Sequence, residues 1–247
     1  MKYAEELTLK TGNCDFTGRW KLSDIMIQFQ ELAGAHCDRA GCGRRDMLEK
    51  YSVVWILTRS EIRMARYPLL GERVRIETFT HPNRKVFFPR SYRILDEAGT
   101  ELGSSLTYWV LCDIHTRKIT YLPQIASLFP DSGIPSPITR FMDIPDTVGE
   151  KTVLSRQPLY TDLDVNRHVN NTRYADWLSD MLGPELLERQ EIGDFMIDYH
   201  HEVRPGQQLE LSLWRDGERF TMAGRCGDVL HFNIGGTLSP SPQHAML

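Results

Sequence analysis

Residues 162–183 read DLDVNRHVNNTRYADWLSDMLG, a run of short polar side chains that leads straight into an apolar periodicity. The first ten positions hold two Asp, three Asn and one His. After them Tyr174, Trp177, Leu178, Met181 and Leu182 recur at the i, i+3, i+4, i+7, i+8 spacing of a helix that buries one face. Asn170 or Asn171 is expected to cap that helix, and Gly183-Pro184 to stop it. Asn, Asp and Ser gather at helix starts for capping alone. Taken by itself, the polar decade 162–171 is therefore equally readable as a cap or as a chemical site.

The same pattern occurs earlier. DFTGRWKLSDIMIQFQELAG begins at Asp15 and DVNRHVNNTRYADWLSDMLG at Asp164. Each opens on Asp, crosses a short polar turn, enters an amphipathic helix and reaches glycine at the same step, Gly34 and Gly183. Two separate features keep one offset, which points to internal duplication. In the first copy Ser23 is the expected N-cap, and Ile25, Phe29, Leu32 and Ala33 carry the stripe, with the helix running on toward Gly41. Strand-rich sequence follows each helix: VVWILTRSEIRM (53–64) and later runs in the first half, DFMIDYHHEV (194–203) and QLELSLWRDGERFTMAGRCGDVLHFNIGGTL (208–238) in the second. Asp96–Gly99, Asp216-Gly217 and Gly227-Asp228 read as hairpin turns. Each half is thus one helix followed by antiparallel strands, an α+β arrangement in which helix and sheet bury each other. The halves are placed at 1–130 and 149–247, and the Pro-rich stretch around 131–148 is the linker.

This tandem pattern, with D-x-N-x-H-V-N-N at the second helix, resembles the acyl-carrier-protein (ACP) thioesterases, which are double hotdog proteins. FQELAGAHCDRAG (29–41) resembles that family's first-helix segment. WVLCDIHTRKITYLP (109–123) resembles its T-R-x-[IL] strand and following Pro, and IDYHHEV (197–203) the strand bearing its Glu. The resemblance spans nearly the whole chain and, with no transit peptide evident, suggests a bacterial member. It implies hydrolysis of fatty acyl-ACP thioesters, with ACP as partner and no cofactor. The family's proposed catalytic set falls on Asp164, Asn166, His168 and Glu202. Some members have Cys after the Glu; here the residue is Val203, which excludes a cysteine nucleophile at that position.

Thioester hydrolysis needs an activated water, an oriented carbonyl, a stabilised oxyanion and a held acyl chain. If 164–168 is extended, Asp164, Asn166 and His168 share a face. His168 is the natural titrating group near neutral pH, Asp164 can fix its tautomer, and Asn166 can both donate and accept. Strand alternation in 197–203 is expected to place Asp198, His200 and Glu202 on one face. A carboxylate beside an apolar acyl site suits general-base work. Glu202 is then the base, with His168 and the helix N-terminus at the oxyanion; Glu202 and Asp164 could exchange roles. In the first copy Arg19 stands at the place of His168 and roughly Ala65 at that of Glu202. That half has no catalytic pair and is expected to shape the acyl pocket, with Trp55, Leu57, Met26, Phe29 and Met64 as lining candidates; plain core packing is the competing reading for them.

Composition narrows the alternatives. The chain has 247 residues, formal charge −4, 41% hydrophobic and 25% charged residues, enough for a real core. The charge argues against nucleic acid as the main partner. No apolar run reaches membrane-spanning length, and the first residues lack a signal core, so a cytoplasmic protein is expected. Five scattered Cys form no C-x-x-C pair. His200-His201-Glu202 suggests metal weakly, since adjacent strand residues face opposite ways, and no metal is expected. Asn83-Arg84-Lys85, Arg90, Arg93, Arg117 and Lys118 are basic positions able to steer an acidic carrier or simply to face solvent. The alternatives are an acyl-CoA thioesterase and a non-catalytic acyl-binding or regulatory hotdog protein; the latter would not need the polar set. A tandem repeat can cover its own sheet edges, so monomer and homodimer are both compatible.

Overall fold

Strand β1, Lys2–Thr8, leads through a 3-10 turn at Thr11–Asn13 into the long helix α1, Leu22–Arg39, and the shorter α2, Arg44–Tyr51. Strands β2 (Val53–Met64), β3 (Arg73–Thr80), β4 (Phe88–Leu95), β5 (Glu101–Asp113) and β6 (Ile119–Thr120) follow, then the one-turn helix α3, Pro123–Ala126. After β7 (Glu150–Arg156) the order repeats: a 3-10 turn at Tyr160–Asp162, helices α4 (Arg173–Leu182) and α5 (Pro184–Arg189), then β8 (Gln190–Tyr199), β9 (Leu209–Asp216), β10 (Arg219–Cys226) and β11 (Val229–Pro240). This computed structural model describes residues 2–147 and 149–241. Position 148 of the expected linker and positions 242–247 of the expected C-terminal half lie outside them. The chain divides into two compact units between Phe141 and Met142.

In the first unit the antiparallel sheet runs β1-β3-β4-β5-β2, with β6 added to β5. α1 buries Leu22, Ile25, Met26, Phe29, Leu32, Ala33 and His36, and the Phe29 ring stacks on Tyr92 of β4 at 4.4 Å. Ser23 is buried inside α1 rather than capping it; the cap residue is Lys21. The reason lies upstream. Trp20 N–H is fixed by Pro68 O at 2.9 Å and Lys21 N–H by Asn13 O at 3.0 Å, so the chain turns into the helix two residues early. The helix ends where Gly41 adopts φ +72° and Cys42 N–H returns to Cys37 O at 3.0 Å, a left-handed stop that only glycine adopts without strain. Residues 131–141 belong to this unit: Ser132 N–H bonds Thr80 O at 3.1 Å, and the Ser136 and Ser91 hydroxyls meet at 2.8 Å.

In the second unit the sheet runs β8-β11-β10-β9-β7. α4 buries Tyr174, Ala175, Trp177, Leu178 and Leu182, and the Tyr174 ring lies 4.3 Å from Phe232 of β11. Gly224 of β10 permits this packing, because a Cβ there would meet the Phe232 ring at 2.1 Å. Gly217 and Gly227, both at φ +58°, make the two expected hairpin turns. Residues 142–147 pack here, with Thr221 Oγ1 donating to Pro145 O at 3.0 Å. Each unit is therefore a long helix seated on an antiparallel sheet, the α+β pattern read from the sequence.

Candidate active site

The stretch 164–168 is a closed turn, not the extended segment expected from its alternation. Leu163 and Val169 form an antiparallel bridge, Asp164 N–H bonds His168 O at 3.0 Å, and Arg167 N–H bonds Asp164 O at 3.0 Å. Arg167 takes φ +65° to close it. The cause is the aspartate: Asp164 Oδ1 accepts the Asn166 backbone N–H at 2.8 Å and Oδ2 its side-chain amide at 3.2 Å. Such local side-chain-to-backbone bonds outcompete extension. The turn still gathers the expected residues. His168 Nδ1 lies 3.8 Å from Asp164 Oδ1, and Nε2 lies 3.9 Å from Glu202 Oε1. All four sequence-derived residues thus meet, Asn166 through Asp164.

Glu202 arrives by a different route from the one expected. β8 stops at Tyr199, and the amides of His200 and His201 both bond His231 O, at 2.9 and 3.0 Å. Strand alternation therefore ends before Glu202, and His200 Nε2 goes to Asn233 Oδ1 at 2.7 Å. The segment is tied to the turn by one backbone bond, Val169 N–H to Val203 O at 2.8 Å. Arg204, not singled out from the sequence, donates to Glu202 Oε2 at 3.0 Å; its only sequence signal is the Glu-x-Arg spacing. The helix N-terminus is also not the open donor set expected. α4 begins at Arg173 with Thr172 as cap, and Asn170 takes both entry amides, Thr172 N–H at Oδ1 (3.0 Å) and Arg173 N–H at its carbonyl (2.9 Å).

Below the site two tyrosines are locked in. Burial pushes the Tyr199 phenol well above its ordinary value, and its hydroxyl donates to Asn171 O at 3.0 Å. Burial, with Asp164 and Glu202 nearby, also pushes the Tyr174 phenol up. Both remain neutral hydrogen-bonding groups at physiological pH.

The first unit contains the same turn without the His168 and Glu202 side chains. Asp15 N–H bonds Arg19 O at 2.8 Å, Gly18 N–H bonds Asp15 O at 3.0 Å, and Asp15 Oδ1 accepts Thr17 N–H at 2.8 Å. Gly18, at φ +80°, stands where Arg167 does. Trp20 N–H to Pro68 O matches Val169 N–H to Val203 O. The amides of Ala65 and Arg66 both bond Leu102 O, at 2.9 and 3.2 Å, as those of His200 and His201 bond His231 O. The counterpart of Glu202 is therefore Tyr67, and Ala65 answers His200. The expected pairing of Ala65 with Glu202 was two residues out of register.

Met26, Phe29, Leu57 and Met64 are buried in the first unit. Trp55 is partly buried, its ring edge-on to Phe88 at 4.9 Å and its Nε1 donating to Cys42 O at 3.3 Å. Arg90 is not a surface charge. It is buried and donates to His36 Nδ1 at 2.9 Å and Thr78 Oγ1 at 3.1 Å, whereas Arg84, Lys85, Arg117 and Lys118 are exposed. Among the described residues no group of three or more His, Cys, Asp or Glu is placed to hold a metal ion, and no helix is long and apolar enough to cross a membrane.

The acyl-ACP thioesterase N-terminal domain family model matches residues 1–126, and the acyl-ACP thioesterase C-terminal domain model matches residues 146–224. The chain belongs to the acyl-ACP thioesterase family. It is 28% identical over 202 residues to the chloroplastic acyl-[acyl-carrier-protein] hydrolase FATB2 of Cuphea viscosissima, covering 76% of this chain and 49% of the relative. It is 26% identical over 194 residues to the chloroplastic palmitoyl-acyl carrier protein thioesterase of Gossypium hirsutum, covering 73% and 47%. The chain thus spans about half the length of the curated relatives it matches. Its fold is the double hotdog. An acyl-ACP thioesterase from Bacteroides thetaiotaomicron superposes with TM-score 0.85 at 23% identity, over 96% of this chain and 98% of that one. The 12:0-ACP thioesterase from Umbellularia californica gives 0.84 at 20%, over 97% and 98%.

Proposed function

We propose that this acyl-ACP thioesterase family member hydrolyses fatty acyl thioesters of acyl carrier protein, releasing the free acid and the carrier thiol. The observation that carries the reading is the His168 ring between two carboxylates, Asp164 at 3.8 Å and Glu202 at 3.9 Å. Their roles divide. Asp164 uses both oxygens to hold its own turn, and Asp15 builds the same turn where no catalytic pair exists. Asp164 is therefore the residue that holds the turn beneath His168, whose Nδ1 also meets Val169 O at 3.4 Å, and Glu202 is the base. The two carboxylate contacts of His168 exceed hydrogen-bond length, as is common before substrate arrives.

Glu202 Oε1 takes a proton from water as the water oxygen attacks the thioester carbonyl carbon. His168 acts as the ring protonated on both nitrogens, with Nδ1–H toward Val169 O and Asp164 and Nε2–H toward the negative charge that develops on the carbonyl oxygen. When the tetrahedral species collapses, the C–S bond breaks and the thiolate recovers the proton from Glu202. The amides of Thr172 and Arg173 are engaged by Asn170, and His168 is assigned the oxyanion. No cysteine follows Glu202, so water is the nucleophile at this position. The first unit, lacking the pair, is assigned the acyl chain, with Trp55, Leu57, Met26, Phe29 and Met64 as lining candidates. The exposed Arg84, Lys85, Arg117 and Lys118 suit an acidic carrier.

The test is free-thiol release from acyl-ACP and acyl-CoA substrates of graded chain length, wild type beside Glu202→Gln. Glutamine keeps the size and removes the base, so kcat should fall about 10²–10⁴-fold. A variant that retains most of its turnover would overturn the base assignment. Release from CoA but never from ACP would move the substrate class.

A further inference from the structure

The loop 162–170 carries Asp164, Asn166 and His168, and Asp162 closes its base. Asp162 O accepts the Asn170 N–H at 2.8 Å. The residue is 4% exposed, and its carboxylate is fully engaged. Oδ2 accepts the Leu159 N–H at 2.8 Å, and Oδ1 accepts Nε1–H of Trp177, in α4, at 3.3 Å. Oδ1 also meets Arg156 Nη2, from the last residue of β7, at 3.4 Å. Arg156 grips α4 as well: Nη1 donates to Asp180 Oδ2 at 3.3 Å, and the guanidinium lies 4.9 Å from the centre of the Trp177 ring.

The internal repeat shows which of these contacts the fold requires. Asn13 stands before Asp15 as Asp162 stands before Asp164. It makes the same two turn bonds, with Oδ1 accepting the Lys10 N–H at 2.8 Å and its carbonyl the Lys21 N–H at 3.0 Å. Its amide donates to Asp24 Oδ2 of α1 at 3.0 Å, a tie to the helix made without a cation. The place of Arg156 is taken by Leu7. Strand register fixes that match: Leu7 pairs Val74 and Arg156 pairs Leu209, and these partners stand equally far past Pro68 and Val203. A hotdog unit therefore forms with Asn and Leu at these two places. The acid and the base occur together in the half that carries His168 and Glu202. Desolvation largely cancels the attraction in such a pair, so net stability does not account for the exchange, whereas a fixed geometry does.

We propose that Asp162 and Arg156 are positioning residues: their ion pair clamps the base of the 162–170 loop against α4 and thereby fixes His168 beside Glu202. The proposal rests on the hydrolytic reading above. Misplacing a catalytic group by about 1 Å costs on the order of 10²-fold in rate, so a loosened loop is felt in turnover rather than in substrate affinity.

The test compares Asp162→Asn, Arg156→Leu and the double variant, with kcat taken per folded molecule. Asp162→Asn keeps an oxygen for the Leu159 N–H and removes the charge that Arg156 meets. In each variant kcat on the best thioester substrate should fall about 10–100-fold, with KM within about twofold of wild type. The double variant should lose no more than the worse single one, because the two residues act as one device. In a His168→Ala background Asp162→Asn should cause no further loss. The Asn170 amide should exchange with solvent faster in Asp162→Asn than in wild type. Wild-type kcat in the folded variants, a loss that falls on KM, an equal loss in both backgrounds, or unchanged exchange at Asn170 would each overturn the proposal. If Asp162→Asn does not fold, Arg156→Lys carries the same test, since it keeps the charge and gives up the planar fork. Should the wild type release no thiol from any substrate, the hydrolytic reading falls, and exchange at Asn170 still decides whether the pair clamps the loop.

Discussion

Asp164 shows how one residue type serves two ends. Its carboxylate closes a turn by accepting from Asn166 at 2.8 and 3.2 Å, and it faces His168 Nδ1 at 3.8 Å. Asp164→Asn keeps an oxygen for the Asn166 amide, so its stability should stay within about 1 kcal/mol of wild type in urea unfolding. Its kcat should fall far less than that of Glu202→Gln. If Asp164→Asn lost more kcat than Glu202→Gln, the two carboxylates would have exchanged roles. The cluster of Asp164, Asn166 and His168 was legible from its spacing as a cap or a site, and Glu202 joined it only through the family resemblance. Their geometry was not. Alternation presumes extension, and it ignores the Asx bonds that fold 164–168 back on itself. The route to Glu202 was hidden for a similar reason, since two successive amides sharing His231 O end the strand at a point no side chain marks.

Among the elements, α1 and α4 followed from their apolar stripes and the hairpins of the second unit from Asp-Gly and Gly-Asp, whereas the short α2, α3 and α5 were not read from the sequence. The start of α1 did not, because backbone bonds from Trp20 and Lys21 set it ahead of Ser23. The last turn of α1 carries a buried histidine that packs against β4. Burial, then the adjacent Arg90 guanidinium, lowers His36 from 6.5 to about 4. Arg90 Nη1 donates to His36 Nδ1 at 2.9 Å, so the ring is neutral in the folded protein. The unfolded chain binds the extra proton between these two values. The stabilisation is therefore complete above pH 6.5, declines as pH falls, and is gone below about 4. Its full span is about 3 kcal/mol. In urea unfolding at pH 7 and pH 4, His36→Gln should lose correspondingly less stability on acidification than wild type. Parallel losses in both proteins would show that His36 does not titrate with unfolding.

On the scale of the whole molecule, the tandem organisation was legible because two features kept one offset, Asp to Gly in both copies. The structure adds that the copies share a turn and a backbone tie, and differ in the groups set on them: His168 and Glu202 against Arg19 and Tyr67. The Pro-rich stretch read as linker has no periodicity to announce its contacts, yet it packs by hydrogen bonds to Thr80, Ser91 and Thr221. Duplication followed by loss or gain of polar groups accounts for one half carrying His168 and Glu202 and the other only the frame. The most direct measurement is thiol release from acyl-ACP substrates of graded chain length, wild type beside His168→Ala. Release with a chain-length optimum, reduced about 10²–10⁴-fold in a folded variant, is the predicted result. Equal release by the variant, or acyl chains bound by the wild type and never released, would contradict it.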